Sequence, residues 1–149
     1  MRSLLPFIVA FATGCNSFLD VDTNEDGKLA QALALWESAG LTDYDFTIVN
    51  ICYCDVQPAI AQVQVRGGEI VSIVDDVTEE LAVDPRGIQT IPELFELIQA
   101  AIDAPADLLY ASYSSRYGYP TLIQIDPDGR VDADELQIQV GRFRVIRAE

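Results

Sequence analysis

The sequence predicts an α+β fold, two helices packed on an antiparallel sheet, in the order α-β-β-β-α-β-β-β. Three observations predict it. Two stretches, around Leu29 to Trp36 and Leu94 to Ile102, place apolar residues at helical spacing. Six other stretches are rich in β-formers or alternate apolar with polar residues, with Gly67-Gly68 and Asp128-Gly129 as turn signals between them. Finally, sliding the chain against itself by 62 residues brings Leu33 onto Phe95, Trp36 onto Ile98, Phe46 onto Leu108 and Val63 onto Ile125. That offset suggests a tandem repeat of one helix-plus-meander unit. A length of 149 residues, half of them hydrophobic, is enough for one domain with a real core.

The first element is not part of the fold. Met1-Arg2-Ser3 carries one positive charge, Leu4 to Ala12 is an apolar run about half the length a membrane helix needs, and Thr13-Gly14-Cys15 follows. This three-part pattern predicts an export signal over residues 1–14. Ala12-Thr13-Gly14-Cys15 resembles a bacterial lipobox, which implies cleavage before Cys15 and lipid chains on its thiol; an ordinary secretory signal with an incidental cysteine is the plainer alternative. Two or more chains on one residue would hold the protein to a membrane face. Asn16 stands where Asp is the usual inner-membrane retention signal, so the expected place is the outer membrane, facing the periplasm. Residues 15–27 are then a lipidated N-terminus and polar tether, and residues 28–149 a single domain.

Within that domain, residues 28–39 predict a helix with Leu29, Ala32, Leu33 and Trp36 on one stripe and Gly40 as its left-handed cap. Residues 44–54 predict a strand. Residues 59–66 and 69–74, joined by Gly67-Gly68, predict a hairpin. An acidic connector leads to the second helix, residues 90–103, where Thr90 and Glu93 are spaced as a capping box and Pro92 sits in the first turn. Its core stripe is Leu94, Phe95, Ile98, Ala101 and Ile102. Three further strands are predicted over residues 108–114, 121–126 and 135–146. In the last of these the apolar alternation changes phase at Gly141, which predicts a β-bulge.

Charge and composition exclude several chemistries. Nine Lys plus Arg stand against 24 Asp plus Glu, a net charge of −15, and loss of Arg2 with the signal makes it about −16. Such a chain repels phosphate backbones, so no nucleic-acid partner is expected. It is poorly attracted to anionic lipid, so its membrane anchor must be the lipid itself. There is no His, which removes Ser-His-Asp and Cys-His catalysis and any His-ligated metal.

Five constellations remain. Cys52 and Cys54, two apart in a predicted strand, would share a face with Cα atoms about 6.5–7 Å apart, the outer limit for a disulfide. A strained or structural disulfide, two reduced and buried thiols, and a redox or soft-metal site are the three readings. Asp22, Asn24 and Asp26, with Gly27 next, match the first half of an EF-hand loop and are a calcium candidate; Leu33 stands where a bidentate Glu belongs. The plainer reading is a polar helix start. Gln124, Asp126, Asp128, Asp132 and Glu135 have the complementary defect, and Asp128-Gly129 is more simply a turn. No other cofactor is expected. Tyr110, Tyr113, Tyr117 and Tyr119 crowd four tyrosines into ten residues beside Arg116, either a partner-binding surface or the roof of a sheet. Arg142, Arg144 and Arg147 line a solvent face or guard an edge, with an anion-binding or intramolecular salt-bridging role as the sharper alternative.

Trp36, Tyr44-Asp45-Phe46, Cys52-Tyr53-Cys54, Val63-Gln64-Val65-Arg66-Gly67-Gly68, Ile91-Pro92-Glu93-Leu94-Phe95, Gly118-Tyr119-Pro120 and Ile125-Asp126 together carry a resemblance. Over about 110 residues, from Leu35 to Val145, the chain resembles the bacterial domain-of-unknown-function family 6174, whose members look like short exported proteins, often lipoproteins. The resemblance implies a fold and brings no activity, substrate or catalytic residue.

The functional expectation is a non-enzymatic envelope lipoprotein that binds or shields a protein partner, since no nucleophile–base pair is assembled. Two alternatives stand beside it. A hydrolase could use paired carboxylates from Asp75-Asp76, Glu79-Glu80 or the Asp126 to Glu135 group. An inhibitor of an exported enzyme is suggested by likeness of architecture to β-lactamase-inhibitory proteins, an analogy at the level of fold alone.

Overall fold

The computed structural model describes residues 22–131 and 133–147. Its elements are α1 (Asp22–Ala39), β1 (Tyr44–Cys52), β2 (Ile60–Arg66), β3 (Glu69–Asp75), α2 (Ile91–Asp103), β4 (Leu108–Tyr113), β5 (Pro120–Asp126) and β6 (Leu136–Val145). The predicted α+β class and element order are those of the structure. The export signal, Cys15 and Asp132 lie outside the described residues.

All six strands form one sheet in the order β3-β2-β1-β6-β5-β4, every neighbouring pair antiparallel. Alternation sorts each strand into two faces. Tyr44, Phe46 and Ile48 of β1, Ala61, Val63 and Val65 of β2, Ile123 and Ile125 of β5, and Ile138 and Val140 of β6 are buried with Leu29, Ala32 and Trp36 of α1 and Ile91, Leu94, Phe95 and Ile98 of α2. Both helices therefore lie on one face of the sheet. Trp36 sits at their junction, edge-on to Tyr44 at 5.3 Å. Burial pushes the Tyr44 hydroxyl up to about 12, offset in part by the hydrogen bond it accepts from Ile91 N–H.

Local signals set the ends of elements. The side chain of Thr90 accepts from Glu93 N–H and the Glu93 carboxylate accepts from Thr90 N–H, the predicted capping box. Gly67 and Gly68 both have positive φ, 60° and 84°, as a two-residue hairpin turn of the primed kind requires.

Three expectations are corrected. α1 begins at Asp22, so part of the predicted tether is helix. An EF-hand loop must turn sharply at its glycine and wrap its ligands round the ion, whereas Gly27 lies inside a helix whose backbone runs straight through this segment. The calcium reading of Asp22, Asn24 and Asp26 fails for that reason. β1 ends at Cys52, and the chain bends at Tyr53 and Cys54, so the two cysteines do not share a strand. The bulge predicted at Gly141 of β6 is present, with Asp45 opposite Arg144 and Thr47 opposite Gly141, and the left-handed residue within it is Arg142, φ 46°.

The 62-residue offset does not carry through the fold. It equates Phe46, 2% exposed beneath the helices, with Leu108, 51% exposed on the other face. The second meander also keeps the left-to-right order of the first with strand directions reversed and the helix on the same face. No rotation relates two such halves.

Candidate functional site

Among the described residues nothing covers the face of the sheet away from the helices, and period-2 alternation decides what it presents. Thr47, Val49 and Ile51 of β1, Gln62 and Gln64 of β2, Gln137 and Gln139 of β6, Leu122 and Gln124 of β5 and Tyr110 of β4 point to it, as the register requires: Val49 pairs with Gln139 and Gln139 with Leu122, while Ile51 pairs with Gln137, Gln137 with Gln124 and Gln124 with Tyr110. Glutamine amides alternate with exposed apolar side chains; Ile51 is 56% and Tyr110 43% exposed. The Gln124 amide donates to the Gln137 carbonyl at 2.8 Å, which fixes both side chains.

Three shallow hollows mark this face. At one end, a hollow of about 270 Å³ is lined by Asp45, Thr47, Gln62, Gln64, Arg142 and Arg144. A second, about 490 Å³, shares Thr47 and Arg142 with it and runs past Val49, Leu122 and Gln139. The third, about 440 Å³, lies at the opposite end between Ile51, Cys52, Tyr53, Leu108, Asp126, Glu135 and Leu136, with Gln124 and Gln137 in its floor.

The two ends differ in charge. At the first, Asp45 receives Arg66 Nη1 at 2.8 Å and Arg144 Nη2 at 2.5 Å. Partial burial pushes the Asp45 carboxyl up, but hydrogen bonds from Arg144 and Arg66 and their charges outweigh it and hold the group below its ordinary value. Asp76 accepts from Gln62 at 2.6 Å and from Arg142 at 2.8 Å, so the left-handed residue of the bulge aims its guanidinium at a fixed carboxylate. Arg142 and Arg144 are thus in ion pairs on the open face. At the other end burial, then the charges of Asp134, Glu135 and Asp107, push the Asp126 carboxyl above its ordinary value, with a backbone hydrogen bond from Asp128 opposing. One oxygen each of Asp126 and Asp134 is buried without a hydrogen-bond partner. Among the described residues no group of three His, Cys, Asp or Glu is arranged to hold a metal ion.

The predicted site residues are scattered rather than gathered. Of the four tyrosines only Tyr110 reaches the open face. Tyr113 stacks on Phe95 and Tyr119 on Phe143, at centroid distances of 6.3 and 4.2 Å, beneath the helix layer. Tyr117 packs against Phe143 and carries the Arg116 guanidinium 4.9 Å above its ring. Tyr110 and Tyr113 are three residues apart in β4, so alternation alone sends them to opposite faces; the register shift beside them is taken up by Thr121 of β5. Asp75 closes a turn by accepting from Val77 and Thr78 N–H groups, away from Asp126 and Glu135, so the acidic pairs do not form one group.

Cys52 and Cys54 are joined as a disulfide with Cα atoms 5.2 Å apart, closer than a strand permits because the chain bends between them. Cys54 is exposed, Cys52 half-buried, and Tyr53 between them 86% exposed. The segment that follows is held by two backbone hydrogen bonds between Gln57 and Arg86, both 3.0 Å, and by Arg86 Nη1 on Asp55 at 2.6 Å.

The glutamine face is what the sequence reading missed. Its signal was present as Gln62, Gln64, Gln124, Gln137 and Gln139 at alternate positions, but only the strand order shows that they lie side by side. No curated protein and no solved structure matches the chain. Residues 28–145, which hold every strand, all of α2 and most of α1, match the family of unknown function DUF6174, and the chain belongs to that family.

Proposed function

We propose that this protein is a lipid-anchored component of a bacterial cell envelope that works as a non-enzymatic binding module, its open sheet face taking a protein partner that presents basic residues beside an apolar patch. The carrying observation is the one-sided helix layer. It leaves Val49, Ile51, Leu122 and Tyr110 among glutamine amides on a free face. Charge selects the partner. The Asp126, Asp134 and Glu135 carboxylates crowd one end of that face on a chain of net charge −15, so a partner with basic residues there relieves repulsion that the isolated protein cannot. Anchoring rests on the short apolar leader and Cys15, and Asn16 favours the outer membrane, facing the periplasm.

The test is cross-linking in intact envelopes, comparing the natural chain with Ile51→Arg and Leu122→Asp variants. A basic protein captured by the natural chain and lost from both variants supports the reading. Capture that survives both substitutions, or a second copy of this chain as the only product, overturns it. An inhibitor is the form of this reading in which the captured partner is an exported enzyme whose activity falls on binding.

One observation favours a second reading, a carboxylate-dependent hydrolase. Asp126, its carboxyl pushed up, and Glu135 line the same hollow. Hydrolysis by the purified chain that disappears in Asp126→Asn and in Glu135→Gln would establish it, and equal background rates in all three would end it.

A further inference from the structure

We propose that the Cys52–Cys54 disulfide is a thiol-exchange site that oxidises dithiols in extended polypeptides seated in the hollow beside it. The inference goes beyond the binding reading and does not depend on which partner the open face takes.

Two features separate this bond from a structural cross-link. It closes a ring across a single intervening residue, so it removes little entropy from the unfolded chain and the fold gains little from keeping it closed. It also stands at the surface: Cys54 is exposed, and Tyr53 beside it is 86% exposed. The bond nevertheless occupies a fixed place. Cys52 is the last residue of β1, paired with Leu136, and the Gln57–Arg86 and Asp55–Arg86 contacts hold the outgoing chain.

What makes it a site is its neighbour. Cys52 and Tyr53 form one wall of the hollow of about 440 Å³, whose other walls offer Ile51, Leu108 and Leu136 to apolar side chains and Asp126 and Glu135 to basic ones. The Gln124 and Gln137 amides in its floor suit the donors and acceptors of an extended backbone. Cys54 stands outside that lining but directly follows Tyr53 of its wall and is exposed, so the cysteine that meets it is one flanking the seated segment.

The chemistry balances without a further reagent. A thiolate of the incoming dithiol attacks Cys54 Sγ and forms a mixed disulfide. The Cys52–Cys54 bond breaks, and its electron pair leaves on Cys52 Sγ, which takes up the proton shed by the attacking thiol. The second thiolate of the polypeptide attacks its own sulfur in the mixed disulfide, closes the polypeptide's disulfide and expels Cys54 Sγ, which is protonated in turn. Two electrons pass from polypeptide to protein in one turnover. Exposure selects Cys54 as the sulfur attacked and leaves half-buried Cys52 as the leaving group.

The experiment uses the full chain and a reduced synthetic peptide with two cysteines flanked by leucine and arginine. Chromatography follows peptide oxidation in the absence of oxygen. Stoichiometric oxidation at least about tenfold faster than with a Cys52→Ser, Cys54→Ser variant is expected, and that control keeps Cys15 constant. Cys52→Ser mixed with the oxidised peptide traps a disulfide on Cys54, whereas Cys54→Ser traps far less. Unchanged thermal unfolding shows that the double variant is folded; if it is not, natural protein reduced and alkylated at both thiols serves as the control. Equal rates with and without the pair, or a disulfide that only unfolding makes reducible, overturn the proposal. Exchange with the peptide but no partner in envelope cross-linking keeps this inference and discards the binding reading, and the reverse result does the opposite.

Discussion

Gly118 has no space for a side chain. Its φ is 79°, and a methyl group there would run into the Ala32 carbonyl and stand 3.0 Å from Trp36 N, both in the backbone of α1. Gly118→Ala therefore combines left-handed strain with a backbone clash that no rotamer change relieves. A loss of about 2–4 kcal/mol is expected in urea unfolding. Ala at Gly27, which meets nothing within 4 Å inside α1, should instead be neutral or slightly stabilising. Asp45 provides a pH-dependent test at the same scale. Its folded-state carboxyl is held below the ordinary value, so its ionised form adds stability above the unfolded value, about 3.9, and that stability is lost as pH falls through the folded one. Asp45→Asn should be less stable than the natural chain at neutral pH, with the two unfolding curves converging in acid. A deficit that persists unchanged at low pH would show that packing, not charge, accounts for it. Asp126 has the opposite sign. Its raised carboxyl means that ionisation costs stability at neutral pH, a cost relieved as pH falls through the raised value, so Asp126→Asn should raise the melting temperature at pH 7.

Elements are held by their ends as much as by their faces. The reciprocal Thr90–Glu93 cap satisfies free N–H groups at the start of α2, and Thr90 is itself buried. Thr90→Ala should cost about 1–2 kcal/mol by loss of the cap, measured as a shift in denaturation midpoint with unchanged slope. The bend that ends β1 behaves differently. Because Cys54 is exposed and the disulfide ring is small, the Cys52→Ser, Cys54→Ser variant should lose at most about 1 kcal/mol. The pair was expected in a strand because Tyr44 to Cys54 is rich in β-formers. Nothing in those residue types records that β6, the neighbour whose pairing defines the strand, stops matching at Leu136. In β6 itself the phase change at Gly141 was legible, whereas the left-handed step at Arg142 was not. Only the Asp76 carboxylate, brought beside it by the fold, shows where that side chain goes.

At the scale of the molecule, a six-stranded sheet with helices on one side has two unlike faces, and the proposed binding role rests on the one away from the helices. Replacing Leu122 with Asp should leave thermal unfolding nearly unchanged, since the side chain is only partly buried on the open face, while abolishing partner capture. Mass spectrometry of the membrane-extracted protein should show a chain that begins at an acylated Cys15; an intact Met1 or an unmodified Cys15 would remove the anchor from the proposal.

Fold class, element order, the hairpin glycines, the α2 cap and the core stripes were legible in the sequence alone, because each is set by local spacing: 3.6 residues per helical turn, two per strand, a fixed offset in a cap. The tertiary structure decided the rest. Which strands are neighbours, which face stays bare, how far Tyr110 lies from Tyr113, and whether Phe46 and Leu108 are equivalent all depend on contacts between residues distant in the chain. Composition is nearly silent about those contacts, since the same alternating strand serves equally well at a sheet's edge or its centre until its neighbours are known.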